Sequence, residues 1–278
     1  MMPQGTAPTQ AVPYSFCVLE DRFSFRVRGT RLLLDHALPF LDVLLTPIEA
    51  NLALDEALLD AIEAGDLSPL VRIWESPTEA IILGASCKLV HDVDFARCRA
   101  EGVPIFRRSS GGGTVLIGPG ALNATVILPI KQAPGLTAVD RAQRFVLEPL
   151  ADQLRLRGFP CRLQGSSDLT LGDRKCAGSA QRRLRSHFLV HTSILYRFPL
   201  ERIALLLKQP VRQPEYRRDR SHDDFLINLS LSREDLCQAI QQAWNASPDL
   251  KPAGALPMER ISELLQAKFS LESWIYRF

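Results

Sequence analysis

Apolar and polar positions change period along this chain, and the changes divide it into helices and strands. From Ile48 to Ile62, Leu52, Ala53, Leu58 and Leu59 recur at helical spacing, after Pro47 and ahead of Gly65 as the stop. Leu70–Trp74 and Ala80–Leu83 are short apolar runs parted by Ser76-Pro77, which predicts two strands. Val93–Glu101 predicts a short helix, Val103–Arg107 a strand entering Gly111-Gly112-Gly113, and Leu122–Pro129 an alternating strand. A long helix is expected over Asp140–Arg157, with Pro149 kinking it or lying near its start. Strands are expected at Asp168–Leu171 and Phe188–Tyr196, flanking Gly178-Ser179. Helical spacing returns at Leu200–Leu207, Arg233–Ala246 and Met258–Ala267. Before all of these, Met1–Leu45 reads as a lead-in, a loose tail and then one or two short strands, with Phe23–Arg28 alternating like one. The order of elements lacks Rossmann spacing and predicts an α+β fold, a mixed and mainly antiparallel sheet flanked by helices.

Composition narrows the class. The 278 residues are 46% hydrophobic and 23% charged, the balance of a globular protein and not of a disordered or collagen-like chain. The formal net charge of +2 is too small for a general nucleic-acid binder. Six scattered cysteines form no CxxC pair and no cluster at metal-ligand spacing, so free thiols in a reducing cytosol and no metal site are expected. Met1–Val12 lacks the basic start of a secretory signal. Leu32–Leu45 is interrupted by Asp35, His36, Pro39 and Asp42 and is too short and charged to span a bilayer. A cytoplasmic protein without a membrane partner is expected.

Three segments carry candidate chemistry. Arg107-Arg108-Ser109-Ser110-Gly111-Gly112-Gly113-Thr114-Val115 joins a glycine run, whose N–H groups can face an anion, to two arginines suited to phosphate or carboxylate. It fits neither the dinucleotide nor the P-loop pattern, and a plain glycine hairpin with solvated arginines is the alternative. Asp168-Leu-Thr-Leu turns at Gly172-Asp173 and delivers Lys175 into Cys176-Ala177-Gly178-Ser179-Ala180, where a cation can meet a developing oxyanion; an exposed turn lysine is the alternative. His191 sits among apolar neighbours in Leu189–Leu195, as a hydrogen-bonded core residue or as part of a site.

Taken in order, Asn51-Leu-Ala-Leu-Asp-Glu-Ala-Leu-Leu, the arginine–glycine run, Asp-Arg-Lys-Cys-Ala-Gly-Ser-Ala and Val-His-Thr-Ser-Ile-Leu resemble the lipoate–protein ligase family. That family shares its biotin/lipoate-ligase-like catalytic fold with octanoyl- and lipoyl-transferases. The resemblance implies ATP-dependent activation of lipoate or octanoate through an acyl-AMP, with Mg2+, then amide formation on a lysine of a lipoyl-domain or lipoyl-carrier protein. It implies ATP and adenylate binding by Arg108, Gly113, Thr114, Val115, Leu116 and Lys175. It implies acyl binding by Gly112, Gly178, Ser179, Ala180, His191 and Lys175, with Lys175 as the catalytic contact to carbonyl and phosphate.

Two departures open alternatives. Ile117-Gly118-Pro119-Gly120-Ala121-Leu122-Asn123 replaces the ligases' usual His-Asp and Gly-Asn, and Gly165-Ser-Ser-Asp168 replaces Gly-x-Asn-Asp; both look closer to the amidotransferase branch. Members of that branch use a cysteine thioester and no ATP, which makes Cys161 the candidate nucleophile, apparently one residue off the family spacing. A non-catalytic lipoate- or carrier-binding protein is a third reading. Pro214–Leu229, dense in charge, is either a loop that covers the acyl-adenylate or docks an acidic carrier domain through Arg217, Arg218 and Arg220, or a solvated connector. The expected organisation is an N-terminal extension over 1–45, a catalytic domain over 46–230, and a C-terminal helical segment over 231–278 packed on it. A ligase of this length would lack a separate accessory domain or borrow it from a second polypeptide.

Overall fold

A computed structural model describes residues 37–278. The strand expected at Phe23–Arg28 lies outside the described residues. The chain begins with β1 (Leu38–Asp42), α1 (Glu49–Ala64), β2 (Leu70–Glu75) and β3 (Ala80–Leu83). It continues through α2 (Leu89–Asp92), α3 (Phe95–Ala100), β4 (Ile105–Arg107), β5 (Val115–Ile117) and β6 (Ala121–Pro129). Next come α4 (Val139–Leu156), β7 (Cys161–Gln164), β8 (Asp168–Leu171), β9 (Arg174–Arg183) and β10 (His187–Leu195). The last elements are α5 (Leu200–Leu206), α6 (His222–Phe225), α7 (Arg233–Ala243), β11 (Ala246–Ser247), α8 (Met258–Leu264), a π-helical turn (Leu265–Phe269) and α9 (Glu272–Ile275). Gly65 ends α1 by taking φ +86°, a conformation that costs a glycine little. No helix among the described residues is long and apolar enough to cross a membrane.

The α+β expectation holds. Eight strands form one sheet in the order β11-β1-β2-β6-β10-β9-β8-β7, and three form a second in the order β4-β3-β5. In the large sheet β1 runs parallel to β11 and to β2, and the other pairs are antiparallel. The neighbouring runs β2 and β3 therefore part company, each entering a different sheet.

The segments expected on either side of the 46–230 body each lend a strand to the large sheet. β1 belongs to the large sheet, pairing Phe40 with Val71, and so lies inside the body. The C-terminal segment is not wholly helical, because β11 pairs Leu38 with Ala246 and covers the outer edge of β1. The reason is the unmet backbone hydrogen bonding of a sheet edge, which recruits a strand from either end of the chain.

Strand alternation sends odd and even positions to opposite faces of the large sheet. Val71, Ile73, Leu122, Ala124, Val126, Phe188, Val190 and Ile194 pack with α4 and α7 in one core cluster. Leu70, Trp74, Ile127 and Leu189 face the other way and pack with α1 and α8. A third cluster lies beneath the small sheet, with α5 and α6.

Candidate active site

On the α1 face, the apolar strands are interrupted by polar residues at every second position. Register places Arg72 of β2 opposite Thr125 of β6, and Thr125 opposite His191 of β10. The adjoining row runs Trp74, Asn123, Ser193, Gly178 and Asp168. His191 of the first row and the residues of the second form the floor of a cavity of about 140 Å³, with α1 and the glycine loop between β4 and β5 as its walls; Arg72 and Thr125 do not line it but bond to Asp55, which does.

Asp55 of α1 anchors the first row. Arg72, fully buried, donates from Nη1 to Asp55 Oδ1 at 2.5 Å and from Nη2 to Asn51 Oδ1 at 2.7 Å. Thr125 Oγ1 donates to Asp55 Oδ2 at 3.0 Å, and His191 Nδ1 lies 3.7 Å from that same oxygen. Burial opposes the Asp55 carboxylate, but the Arg72 guanidinium, with His191, outweighs it and holds the acid below its usual range. Burial pushes His191 down; Asp55 resists, and Arg108 adds to the depression, so the ring is neutral at neutral pH. Its Nε2 is 2.7 Å from Ser110 Oγ, which links the sheet to the glycine loop.

Lys175 carries the second row. β8 and β9 form a hairpin with a bulge at Cys176, since Thr170 pairs with Lys175 and Leu169 with Ala177. The extra residue re-aims the strand, so Lys175 and Gly178 both reach the cavity while Cys176 and Ala177 face α4. Lys175 Nζ pairs with Asp168 Oδ1 at 2.8 Å. A Cβ on Gly178 would stand 2.7 Å from that Nζ, so the lysine lies across a position that only glycine leaves open. Asp168 Oδ2 accepts from Tyr216 Oη at 2.7 Å.

The glycine loop closes over these rows. Gly112 takes φ +81°, and a Cβ there would come within 3.1 Å of Ala180 Cβ, so loop and β9 touch. Gly84 is equally constrained, because a Cβ on it would collide with Gly112 O at 2.0 Å. Arg108 donates to Ile82 O at 3.2 Å, Gly111 O at 2.6 Å, Gly113 O at 2.7 Å and Ser110 Oγ at 3.0 Å. The guanidinium lines the cavity yet mostly holds the loop's carbonyls in place. Thr114 Oγ1 donates to Asp92 Oδ2 at 2.6 Å, fastening the loop to α2.

Of the residues expected at the site, Arg108, Gly112, Gly113, Thr114 and Val115 line this cavity on the loop side. Lys175, Gly178, Ser179, Ala180 and His191 line it from the sheet. Two expected residues do not. Leu116 is buried in the third core cluster, because β5 alternates and only Val115 and Ile117 face the cavity. Cys161 is buried on the α4 face of the sheet, with Cys176 and Leu150, behind the strands that carry Lys175. The Cys176 thiol and Arg155 draw Cys161 below the usual thiol range, while contact with Cys161 and burial push Cys176 up. Sequence reasoning missed Asp55, Arg72, Trp74, Ser193 and Tyr216 as site residues. Trp74 lines the cavity with its indole N–H buried and without a hydrogen-bond partner among the described residues. Polar residues at period two in apolar strands were the available signal for Arg72 and Ser193.

Residues 47–245 match the family model of the Lipoyl protein ligase A/B catalytic domain. The chain belongs to this family. An Aeropyrum pernix protein carried under the provisional name lipoate–protein ligase A is 32% identical over 157 residues, 56% of this chain and 57% of that one. The chain thus spans little more than half of that relative. An octanoyltransferase LipM of Kyrpidia tusciae is 28% identical over 263 residues, 82% of this chain and 94% of that one. Among solved structures, the bi-partite lipoate protein ligase of Thermoplasma acidophilum, described with its E2 lipoyl domain, shares the fold. Its TM-score is 0.72 at 21% identity, covering 86% of this chain and 96% of that one.

Proposed function

We propose that this protein attaches a lipoyl or octanoyl group to a lysine of a lipoyl-carrier protein in the cytoplasm, activating the acid with ATP. The observation that carries this reading is the Lys175–Asp168 pair, 2.8 Å apart, beneath the glycine loop in one cavity. A cation that already neutralises one carboxylate can transfer to another, so Lys175 is suited to hold the acid and then the oxygens of an acyl phosphate. The carboxylate oxygen attacks the α-phosphorus of ATP, pyrophosphate leaves, and the carrier lysine displaces AMP to form the amide. That amine, with a pKa of about 10.4 in water, must shed a proton to react, so positioning has to supply much of the drive. The cavity's carboxylates, Asp55 and Asp168, are both engaged by cations, so Mg2+ would fit only as an ion held by the nucleotide's phosphates. An accessory polypeptide belongs to this reading as a second component, by analogy with the bi-partite ligase of Thermoplasma acidophilum.

The LipM relative, aligned over most of both chains, favours a second reading, transfer through a cysteine thioester without ATP. The burial of Cys161 on the far face of the sheet weighs against it. The deciding experiment is lipoate-dependent exchange of pyrophosphate into ATP by the intact protein. Exchange is expected, with a loss of about 100-fold or more in Lys175→Ala. Acyl transfer without ATP, together with an acyl adduct on Cys161 by mass spectrometry, would replace the ligase reading with the transferase. Saturable lipoate binding with neither reaction would leave a binding protein.

A further inference from the structure

Tyr216 lies in the charge-dense segment 214–227, and that segment is fastened to Lys175 from two sides. Its side chain reaches one oxygen of Asp168 at 2.7 Å while Lys175 Nζ holds the other oxygen at 2.8 Å. Its backbone returns to the lysine itself, since Ile227 N–H donates to Lys175 O at 3.0 Å. Arg220 bonds Asp173 at the hairpin turn through Oδ2 at 3.0 Å and the carbonyl at 2.9 Å, and Arg174 Nη2 donates to Asp223 O at 2.9 Å. The segment adopts left-handed φ of 52° and 56° at Arg218 and Asp219, neither a glycine. Backbone of that kind persists where surrounding contacts over-determine it.

We infer that Tyr216 is a positioning residue for Lys175, acting through the shared carboxylate of Asp168. This inference rests on the proposed reading in taking Lys175 as the group that meets the acyl substrate. With Tyr216 bonded to it, Asp168 divides its charge between a hydroxyl and an ammonium, and the ammonium is freer to turn to an incoming carboxylate. Burial, and next the Asp168 charge, push the Tyr216 phenol well up, so it stays a donor across the working pH range. Without that hydroxyl, Asp168 leans on Lys175 alone and presents a less compensated charge to an anionic substrate.

The test uses Tyr216→Phe, which keeps the ring packed against Phe225 at 5.3 Å between centroids. Acetic anhydride labelling of Lys175, followed by mass spectrometry, reads the lysine without any substrate. Labelling is expected to slow about fivefold in Tyr216→Phe, and the KM for lipoate to rise by a similar factor with kcat within about twofold. In an Asp168→Asn background, Tyr216→Phe is expected to change neither quantity. Labelling as fast as in the unaltered protein, or an equal slowing in the Asp168→Asn background, would overturn the inference. If the labelling pattern holds while no variant or parent protein handles lipoate or octanoate, the positioning role stands and the proposed function falls.

Discussion

On the α4 side of the large sheet, Val71, Ala124, Val126, Val190 and Cys176 form an apolar layer with both Cys161 and Leu150. On the α1 side, residues one step along the same strands are Arg72, Asn123, Thr125, His191 and Lys175, and these line or support the cavity. A single peptide bond separates Lys175 from Cys176, yet strand alternation divides catalytic candidate from core, and the bulge at Cys176 keeps Ala177 on the core side so that Gly178 rejoins Lys175 at the cavity. The comparison teaches that sequence adjacency inside a strand is a poor guide to shared chemistry. A run of motif residues contributes only its alternate members to one site, except where a bulge resets the count.

The sharpest way to break this comparison is through Arg72, the buried cation of the polar face. Removing it in Arg72→Met leaves the Asp55 carboxylate buried without its guanidinium, a class of change that costs about 3–5 kcal/mol. Urea denaturation should register that loss as a lower midpoint. The pH dependence has a defined sign. Because Asp55 is held below its usual range, the stability it gives is present above the unfolded value, about 3.9, and is lost as pH falls through the lower folded value. Parent and variant should therefore converge in acid. A gap that is constant with pH would mean that Arg72 acts by packing and not by charge.

How much of this was legible in the sequence follows the same division. Apolar alternation identified β6 and β10, helical spacing identified α1 and α7, and the glycine and lysine runs marked the two walls of the cavity. His191 was legible as a candidate but its network was not, because Asp55, Arg72 and Thr125 come from three other elements joined to it only by packing and register. Tyr216 was hidden for another reason: it sits among charges that resemble a solvated connector, and its partner Asp168 lies 48 residues away along the chain. Leu116 turns away from the cavity because a contiguous motif on β5 presents only alternate residues to it. β1 was assigned to the lead-in because a short strand preceding a helix shows little of its place in a sheet until β2 and β11 pair with it.

A smaller effect on the polar face is expected from Gly178→Ala. The new Cβ would stand 2.7 Å and 2.8 Å from Nζ and Cε of Lys175, the far end of a flexible side chain, so the lysine can move where backbone could not. Stability should change by no more than about 1 kcal/mol, while a displaced lysine costs roughly 10- to 100-fold in acyl transfer. Steady-state kinetics beside thermal melting separates the two. Full activity in Gly178→Ala would show that the lysine works from a position other than the one over Gly178.

The smallest effect on activity is expected on the other face. Cys161→Ala removes one sulfur from a layer where Cys161 is 1% exposed, so it should destabilise by about 1–2 kcal/mol, the scale of a small group lost from a packed core. Acyl transfer should persist, because between that thiol and the cavity stand the strands whose other face carries Lys175. Cys176→Ala serves as the matched control, being its neighbour in the same layer and in sequence beside the lysine. Equal, small losses of stability with activity retained in both variants would sharpen the division between the faces. Loss of activity in Cys161→Ala alone, at unchanged melting temperature, would break it, since a purely structural thiol cannot tell catalysis from folding. The sheet would then have to open at β7 during turnover to bring that sulfur round to the lysine.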